Sequence, residues 1–160
     1  MFESLGYAHV VTYINSGNII FSSSGGDIAH LQNDIQTGIQ ATFGLIISTL
    51  VVPYSVVDVL CSRIPDNWRQ DEVMKTDVIF VFEEKYNAWV IWDVVLQEGK
   101  EVLLSLPGAV VRYIEYACVA KSKLPKHLMQ KTIYPYITIR NINTVRKLHA
   151  MMQEILTLQK

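Results

Sequence analysis

Residues 13–21, with the sequence YINSGNIIF, decide the fold of this chain. Short runs of β-branched and aromatic residues flank the polar break at residues 15–18, and this pattern is typical of a β-hairpin. Gly17 can adopt the positive φ that such a turn needs, and Asn15 or Asn18 tolerates one. The stretch therefore predicts a tight hairpin.

The sequence around this hairpin predicts further elements of a first half. Residues 1–7 resemble the end of a helix, with Gly6 at the left-handed position that follows it. After the hairpin, Asp27 suits a helix N-cap, and apolar residues then recur at helical spacing as far as Phe43 and Gly44. The apolar run 45–52 predicts a strand, so the order is αββαβ.

The rest of the chain predicts a second half with one more strand. Between residues 77 and 139 the pattern reads βαββαβ, which is the split, ferredoxin-like order. The predicted elements are strands 77–82, 101–104, 110–118 and 136–139, helices 88–99 and 121–131, and a last helix after Asn141 or Asn143. We therefore predict an α+β fold of two ferredoxin-like halves, 1–53 and 54–160, the first lacking its leading strand. One continuous α+β sheet is the alternative.

Composition narrows the class of protein. The 160 residues are 50% hydrophobic and 18% charged, which is enough apolar material for a packed core. The net charge of −1 and the pI of about 6.4 argue against broad nucleic-acid binding, which usually needs a basic face. Cys61 and Cys118 lie in apolar contexts, which favours reduced thiols in a cytoplasmic protein. No apolar run reaches the ~18–20 residues of a membrane span.

Two polar stretches are candidate ligand sites. Asn15, Ser16 and Asn18 would present amides and a hydroxyl, although the same residue types also serve hairpin turns for backbone reasons alone. The second stretch comprises Arg140, Asn141, Asn143 and Thr144. It lies where a strand meets a helix N-terminus, whose N–H groups and dipole favour an anion, and a guanidinium suits carboxylate or phosphate. The alternative is that Asn143 caps the helix, Asn141 orders the turn and Arg140 pairs with an internal carboxylate.

A short basic loop is the third candidate. Ser122 and Lys123 would contact a phosphate, or would simply form a solvated loop before a helix. If this loop lies near Arg140, the two signals combine into one anion pocket. The four histidines and two cysteines show no metal-ligand spacing. Because nucleotide-binding glycine motifs and a nucleophile elbow are also missing, the sequence predicts neither a metal nor a cofactor.

Three stretches resemble the bacterial DUF1697 family, a domain of unknown function. They are the hairpin sequence 12–21, the KSKL segment at 121–124, and TIRNINTVRKL at 138–148, where Ile142 replaces the usual Trp. Family members usually begin with a strand carrying an Arg-Gly-Ile-Asn-Val-Gly-Gly segment, which this sequence does not contain. The resemblance thus implies that the first half lacks this strand and most of the first helix. We expect a first half that is strained or rearranged, or one that a second copy of the chain completes, because unpaired strand edges invite pairing.

Three functions follow as hypotheses. The first is a cytoplasmic module that binds a small anionic or nucleotide-like ligand near the N-terminus of the last helix. The second is an enzyme that acts on a phosphorylated substrate in the same pocket, where catalysis would rest on positioning. The third is a protein-interaction or dimerisation domain without a ligand.

Overall fold

The computed structural model describes residues 1–14, 17–82, 96, 98–130 and 133–158, which form α-helices and antiparallel sheets. The strands are β1 (Ala8–Tyr13), β2 (Asn18–Ser22), β3 (Met74–Val81), β4 (Glu101–Leu106), β5 (Ala109–Glu115) and β6 (Ile137–Asn141). The α-helices are α1 (Ile28–Phe43), α2 (Tyr54–Arg63), α3 (Leu124–Gln130) and α4 (Ile142–Leu158). Short 3-10 helices cover Glu3–Leu5, Tyr116–Lys121 and Tyr134–Tyr136. The mixed α+β class is confirmed.

The chain forms two compact units, one of residues 1–54 with 150–160 and the other of residues 55–149. The described strands form two separate sheets, so the alternative of one continuous sheet is wrong. The predicted division into repeat halves 1–53 and 54–160 stays a prediction. The predicted helix 88–99 lies mostly outside the described residues.

The predicted hairpin is present in the first unit. Strands β1 and β2 pair antiparallel, with Tyr13 opposite Asn18, and Gly17 adopts a φ of +74°. The Asn18 side chain donates from Nδ2 to the Tyr13 carbonyl over 3.1 Å and thereby ties the two strand ends together. This contact of Asn18 serves the hairpin turn.

Helix α1 has the ends that its sequence predicts. The Asp27 carboxylate accepts a hydrogen bond from the His30 N–H at 2.7 Å, and Gly44 adopts a φ of +68° just after the helix. Leu31 and Ile35 are buried and pack with Tyr7 in the core of this unit. Local capping and an apolar stripe together specify this helix.

The strand predicted at residues 45–52 is not formed. In the described part of the chain β1 and β2 pair only with each other, and the segment after α1 makes no ladder. Ile46 is 89% exposed, and the Val51 N–H bonds the Gln32 side chain of α1 over 3.1 Å. β-propensity reflects fit to a neighbouring strand, so an apolar run without one stays irregular.

The second unit contains a four-stranded sheet in the order β4-β5-β3-β6, and every neighbouring pair is antiparallel. Its central strand β3 carries Asp77 opposite Arg112 of β5 and opposite Asn141 of β6. On the same face, Ile79 packs in a buried cluster with Leu124 of α3. The predicted strand 110–118 is too long, because β5 ends at Glu115 and the chain turns into a 3-10 helix.

Candidate functional site

The first predicted site, in the hairpin, is only partly described. Asn15 and Ser16 lie outside the described residues. Asn18 is buried and belongs to the unit of residues 1–54, where its side chain bonds the Tyr13 carbonyl. What is visible of this stretch therefore stabilises the hairpin.

Arg140 lies on the sheet face opposite to the one that carries Asp77. It pairs with Val78, the next residue along β3, and successive side chains of a strand point to opposite faces. Its Nη1 donates to the Thr138 hydroxyl at 2.7 Å and to the Ile139 carbonyl at 2.9 Å. Burial lowers the pKa of this guanidinium. These contacts hold Arg140 against its own strand.

The residues after Arg140 form the predicted helix start. The Asn141 Oδ1 accepts a hydrogen bond from the Thr144 N–H at 2.8 Å, which identifies Asn141 as the N-cap of α4. Asn143 instead donates from Nδ2 to the Gln70 carbonyl over 3.0 Å, and Thr144 is buried. Of the two predicted caps, the structure selects Asn141.

Ser122 joins a group of charged residues that sequence reasoning missed. Its hydroxyl accepts from the Leu124 N–H at 3.2 Å and donates to Oε1 of Glu101 at 2.7 Å, while Lys123 is exposed. Glu101 lies on β4, which pairs with β5, and Arg112 of β5 is directly opposite Asp77 of β3. Arg112 is therefore on the face of the sheet that carries Asp77, whereas Arg140 is on the face that carries Val78. Ser122 and Arg140 are therefore directed to opposite faces of the sheet. The sheet separates the two groups that were predicted to form one anion pocket.

The group that Ser122 joins is a buried ion network on one face of the sheet. The Arg112 Nε donates to the Glu101 Oε1 at 2.8 Å, and its Nη1 approaches Oδ2 of Asp77 at 3.4 Å. Lys75 contributes Nζ, 3.5 Å from the same Asp77 oxygen. Two cations thus balance two carboxylates, and Arg112 is only 3% exposed. These ion pairs offset much of the free-energy cost of burying the charged groups.

One nitrogen of this network has no partner. In the described part of the chain, no hydrogen-bond acceptor meets the buried Nη2 of Arg112. Other buried side-chain atoms also lack described partners, namely those of Thr49, Gln70, Thr76 and His127. Leaving a buried donor unpaired costs about 1–3 kcal/mol, and more for a charged group. Of these residues, only Arg112 borders the cavity described next.

A cavity of about 190 Å³ opens beside Arg112. Three charged side chains and five apolar ones line it: Lys75, Asp77, Arg112, Ile79, Leu124, Pro125, Leu128 and Ile139. The cavity thus has a charged side and an apolar side, as small-ligand sites commonly do. Two of the lining residues, Lys75 and Asp77, have side chains of the types that act as bases or nucleophiles in enzymes.

A sequence signal for this site exists. Asp77 is followed by the apolar run Val-Ile-Phe-Val, and Arg112 follows two valines, so each charge interrupts a stretch that reads as a buried strand. Buried charges are rarely found without a partner. The strand pattern alone does not say that the two residues face each other, because register is a property of the folded sheet.

A comparison with solved structures identifies a protein of similar fold. A solved structure of the conserved bacterial protein SP0830 from Streptococcus pneumoniae is similar, with a TM-score of 0.79 and 25% sequence identity. The similarity covers 94% of this chain and 83% of that one. No curated protein matches the chain. None of the helices in the described ranges is both long and apolar enough to cross a lipid bilayer.

The hairpin that decides the fold also lies in the part of the chain that identifies its family. The family described as "Protein of unknown function (DUF1697)" matches residues 1–103, which include Lys75, Asp77 and Glu101 of the ion network. The chain therefore belongs to the DUF1697 family of proteins of unknown function.

Proposed function

We propose that the unit of residues 55–149 is a binding module for a small ligand, which it holds in the cavity beside Arg112. A single observation carries the proposal. Arg112 is a buried guanidinium that lines the cavity, together with the second cation, Lys75. An anionic group of a ligand in the cavity would be attracted by both cations, and charge-assisted interactions of this kind are the strong ones.

The proposed ligand is smaller than a nucleotide. Drug-sized ligands occupy pockets of about 300–1,000 Å³, whereas this cavity measures about 190 Å³. The volume corresponds to about six water molecules at their liquid density. The proposal therefore keeps a small ligand with an anionic group, as predicted from the sequence, and moves the residue that binds this group from Arg140 to Arg112.

We also propose that residues 55–149 form a ferredoxin-like half. Strands β3 and β4 are both antiparallel to β5, so they are parallel to each other with β5 inserted between them. Strands β5 and β6 are likewise both antiparallel to β3, which lies between them. Each of the two pairs of parallel strands thus has a strand of the other pair between its members, and this arrangement supports the βαββαβ order. In such a sheet the central strands carry the buried charges beside the cavity.

The test is a titration followed by NMR of the backbone amides, with acetate, 4-methylpentanoate and inorganic phosphate as probes. We expect saturable shifts at Lys75, Asp77 and Arg112 with a carboxylate probe, and weaker binding in Lys75→Gln, which removes a half-exposed cation without touching the core. Arg69→Gln is the matched control, because Arg69 is an exposed arginine paired with Asp71. Absence of saturable shifts with every probe would contradict the proposal.

The site predicted from the sequence is a second arm of that test. Within the described part of residues 55–149, Lys123 and Arg140 do not line the cavity, so Arg140→Ala should leave binding there unchanged. If Arg140→Ala abolishes binding while Lys75→Gln does not, the ligand site lies at the start of α4, as predicted from the sequence. Turnover of a bound ligand would favour the alternative of an enzyme acting on a phosphorylated substrate.

Location and assembly remain proposals. Cys61 and Cys118 are both free thiols, which supports a cytoplasmic protein because disulfides form mainly in oxidising compartments. The described β1–β2 sheet has two strands only, and open edges of this kind support homodimerisation. Light scattering after size exclusion tests the dimer, and a monomeric mass at all concentrations would exclude it.

A further inference from the structure

We infer that the ligand of the Arg112 cavity is a small zwitterion, with one carboxylate, one ammonium group and a short aliphatic side chain. This inference rests on the proposed binding function and adds the chemical class of the ligand. An aliphatic α-amino acid is the simplest molecule of this class. The inference depends on three features of the cavity, namely its charge balance, its free hydrogen-bonding groups and its apolar side.

The charges that line the cavity are mixed. Lys75 and Arg112 supply two positive charges, and Asp77 lies between them, 3.5 Å from Lys75 Nζ and 3.4 Å from Arg112 Nη1. The second guanidinium contact is to Glu101, which balances the network. A lone anion in the cavity would be attracted by the two cations but would also approach the Asp77 carboxylate, and like charges at short range disfavour binding. A zwitterion brings its own positive charge to Asp77.

The hydrogen-bonding groups that remain are complementary to both ends of such a ligand. On the donor side, the Arg112 guanidinium lines the cavity, and Lys75 is partly exposed. On the acceptor side, both cations meet Asp77 at Oδ2, so neither of these two ion pairs uses its Oδ1. A carboxylate suits the donors, because an arginine fork and an ammonium both bind carboxylate oxygens. An ammonium group suits the Asp77 Oδ1.

The apolar side of the cavity selects the rest of the ligand. Ile79 and Ile139 are directly opposite each other on β3 and β6, and Leu124, Pro125 and Leu128 of α3 contribute the facing wall. An aliphatic group placed there leaves water for an apolar surface, whereas a polar group would lose hydrogen bonds. With room for about six waters, the cavity favours valine or leucine over larger amino acids.

The test compares three probes that differ by one charged group each. Wild-type protein is titrated with L-leucine, with 4-methylpentanoate, which lacks the ammonium, and with 3-methylbutylamine, which lacks the carboxylate. Affinity is measured by calorimetry, and NMR shifts at Asp77 and Arg112 report the site. We expect L-leucine to bind about tenfold or more tightly than either singly charged probe, because each charged hydrogen bond has at least that effect.

A matched pair of variants assigns the two ends. Asp77→Asn should remove the preference for L-leucine over 4-methylpentanoate, because the variant keeps the shape and loses the charge that meets the ammonium. Lys75→Gln should weaken both ligands that carry a carboxylate and leave 3-methylbutylamine unchanged. The comparison among ligands in wild-type protein stands even if Asp77→Asn fails to fold.

The outcomes separate this inference from the function on which it rests. Equal affinity for L-leucine and 4-methylpentanoate would overturn the zwitterion and keep the binding module. Binding of inorganic phosphate in preference to all three probes would likewise overturn it. If no probe shifts residues around the cavity at millimolar concentration, the zwitterion and the proposed binding function both fail.

Discussion

The guanidinium of Arg112 donates from Nε to the Glu101 carboxylate over 2.8 Å, and both residues are buried. The exposed pair of Lys100 and Glu115, elsewhere on the same sheet, has the same donor–acceptor distance of 2.8 Å. The two pairs therefore differ mainly in their exposure to water. Because water screens exposed charges and solvates a lost partner, equal geometry does not mean equal contribution to stability.

Removing the carboxylate charge of the buried pair should destabilise the protein strongly. We expect Glu101→Gln to lower the free energy of unfolding by about 3 kcal/mol, because it removes the charge of the closer of the two carboxylates that pair with the buried Arg112. Glu115→Gln, the matched exposed change, should have a much smaller effect. Urea unfolding followed by circular dichroism measures both, and an unchanged slope shows that the same surface unfolds. Similar midpoints for the two variants would contradict a dominant role of burial.

The start of α4 should depend on one asparagine and not on its neighbour. Asn141→Ala removes the side-chain acceptor of the Thr144 N–H and should lower the free energy of unfolding by about 1 kcal/mol. Asn143→Ala removes only an exposed bond to the Gln70 carbonyl and serves as the control. Asn141→Ser should restore most of the loss, since serine is an equally good cap and brings no charge to the position opposite Asp77. A larger loss of stability in Asn143→Ala than in Asn141→Ala would contradict the assignment of Asn141 as the N-cap.

Stability in acid should depend on Asp71. Hydrogen bonds from the Met74 and Val73 N–H groups, each 2.9 Å from its Oδ1, lower the pKa of this carboxyl. A depressed folded pKa stabilises the protein above the unfolded pKa of about 4, and that stabilisation is lost as the pH falls through the folded pKa. Asp71→Asn should therefore be less stable than wild type at pH 7, and the gap should close below pH 4. Urea midpoints across this range test the trend, and a constant gap would contradict it.

The thiol of Cys61 should react slowly in the native protein. Burial raises the pKa of this thiol; the Arg146 charge opposes the shift and the Asp58 charge adds to it. Because the thiolate is the reactive form, we expect slow modification by a disulfide reagent at pH 8 and a faster reaction in urea. In a Cys118→Ser background, Asp58→Asn should accelerate the native reaction. No change, or a slower reaction, would show that the Asp58 charge does not act on this thiol.

Local sequence signals predicted well the elements whose hydrogen bonds are local. The hairpin needed Gly17 at a positive φ, and α1 needed Asp27 before it and Gly44 after it. Each of these positions acts on a backbone only a few residues away, so the sequence contains the whole interaction. The same reasoning predicted a cap for α4, although it left Asn141 and Asn143 as equal candidates.

Elements that depend on distant neighbours could not be predicted in this way. Residues 45–52 have the composition of a strand, yet no described strand pairs with them. Arg140 looked like the best anion ligand, but alternation along the sheet directs it away from Ser122. Both outcomes depend on which strand lies beside which, and pairing is decided by packing rather than by propensity.

By itself, the sequence determined the hairpin, the limits of α1, the α+β class and the family. Only the tertiary structure decided the candidate site, because Asp77, Glu101 and Arg112 come from three different strands and meet through sheet register. Ser122 joins them from the loop before α3. A side chain's partners across a sheet follow from the global pairing of strands, which minimises exposed apolar surface over the whole unit. The charges of the site are therefore visible in the sequence, but their convergence on one cavity is a property of the fold.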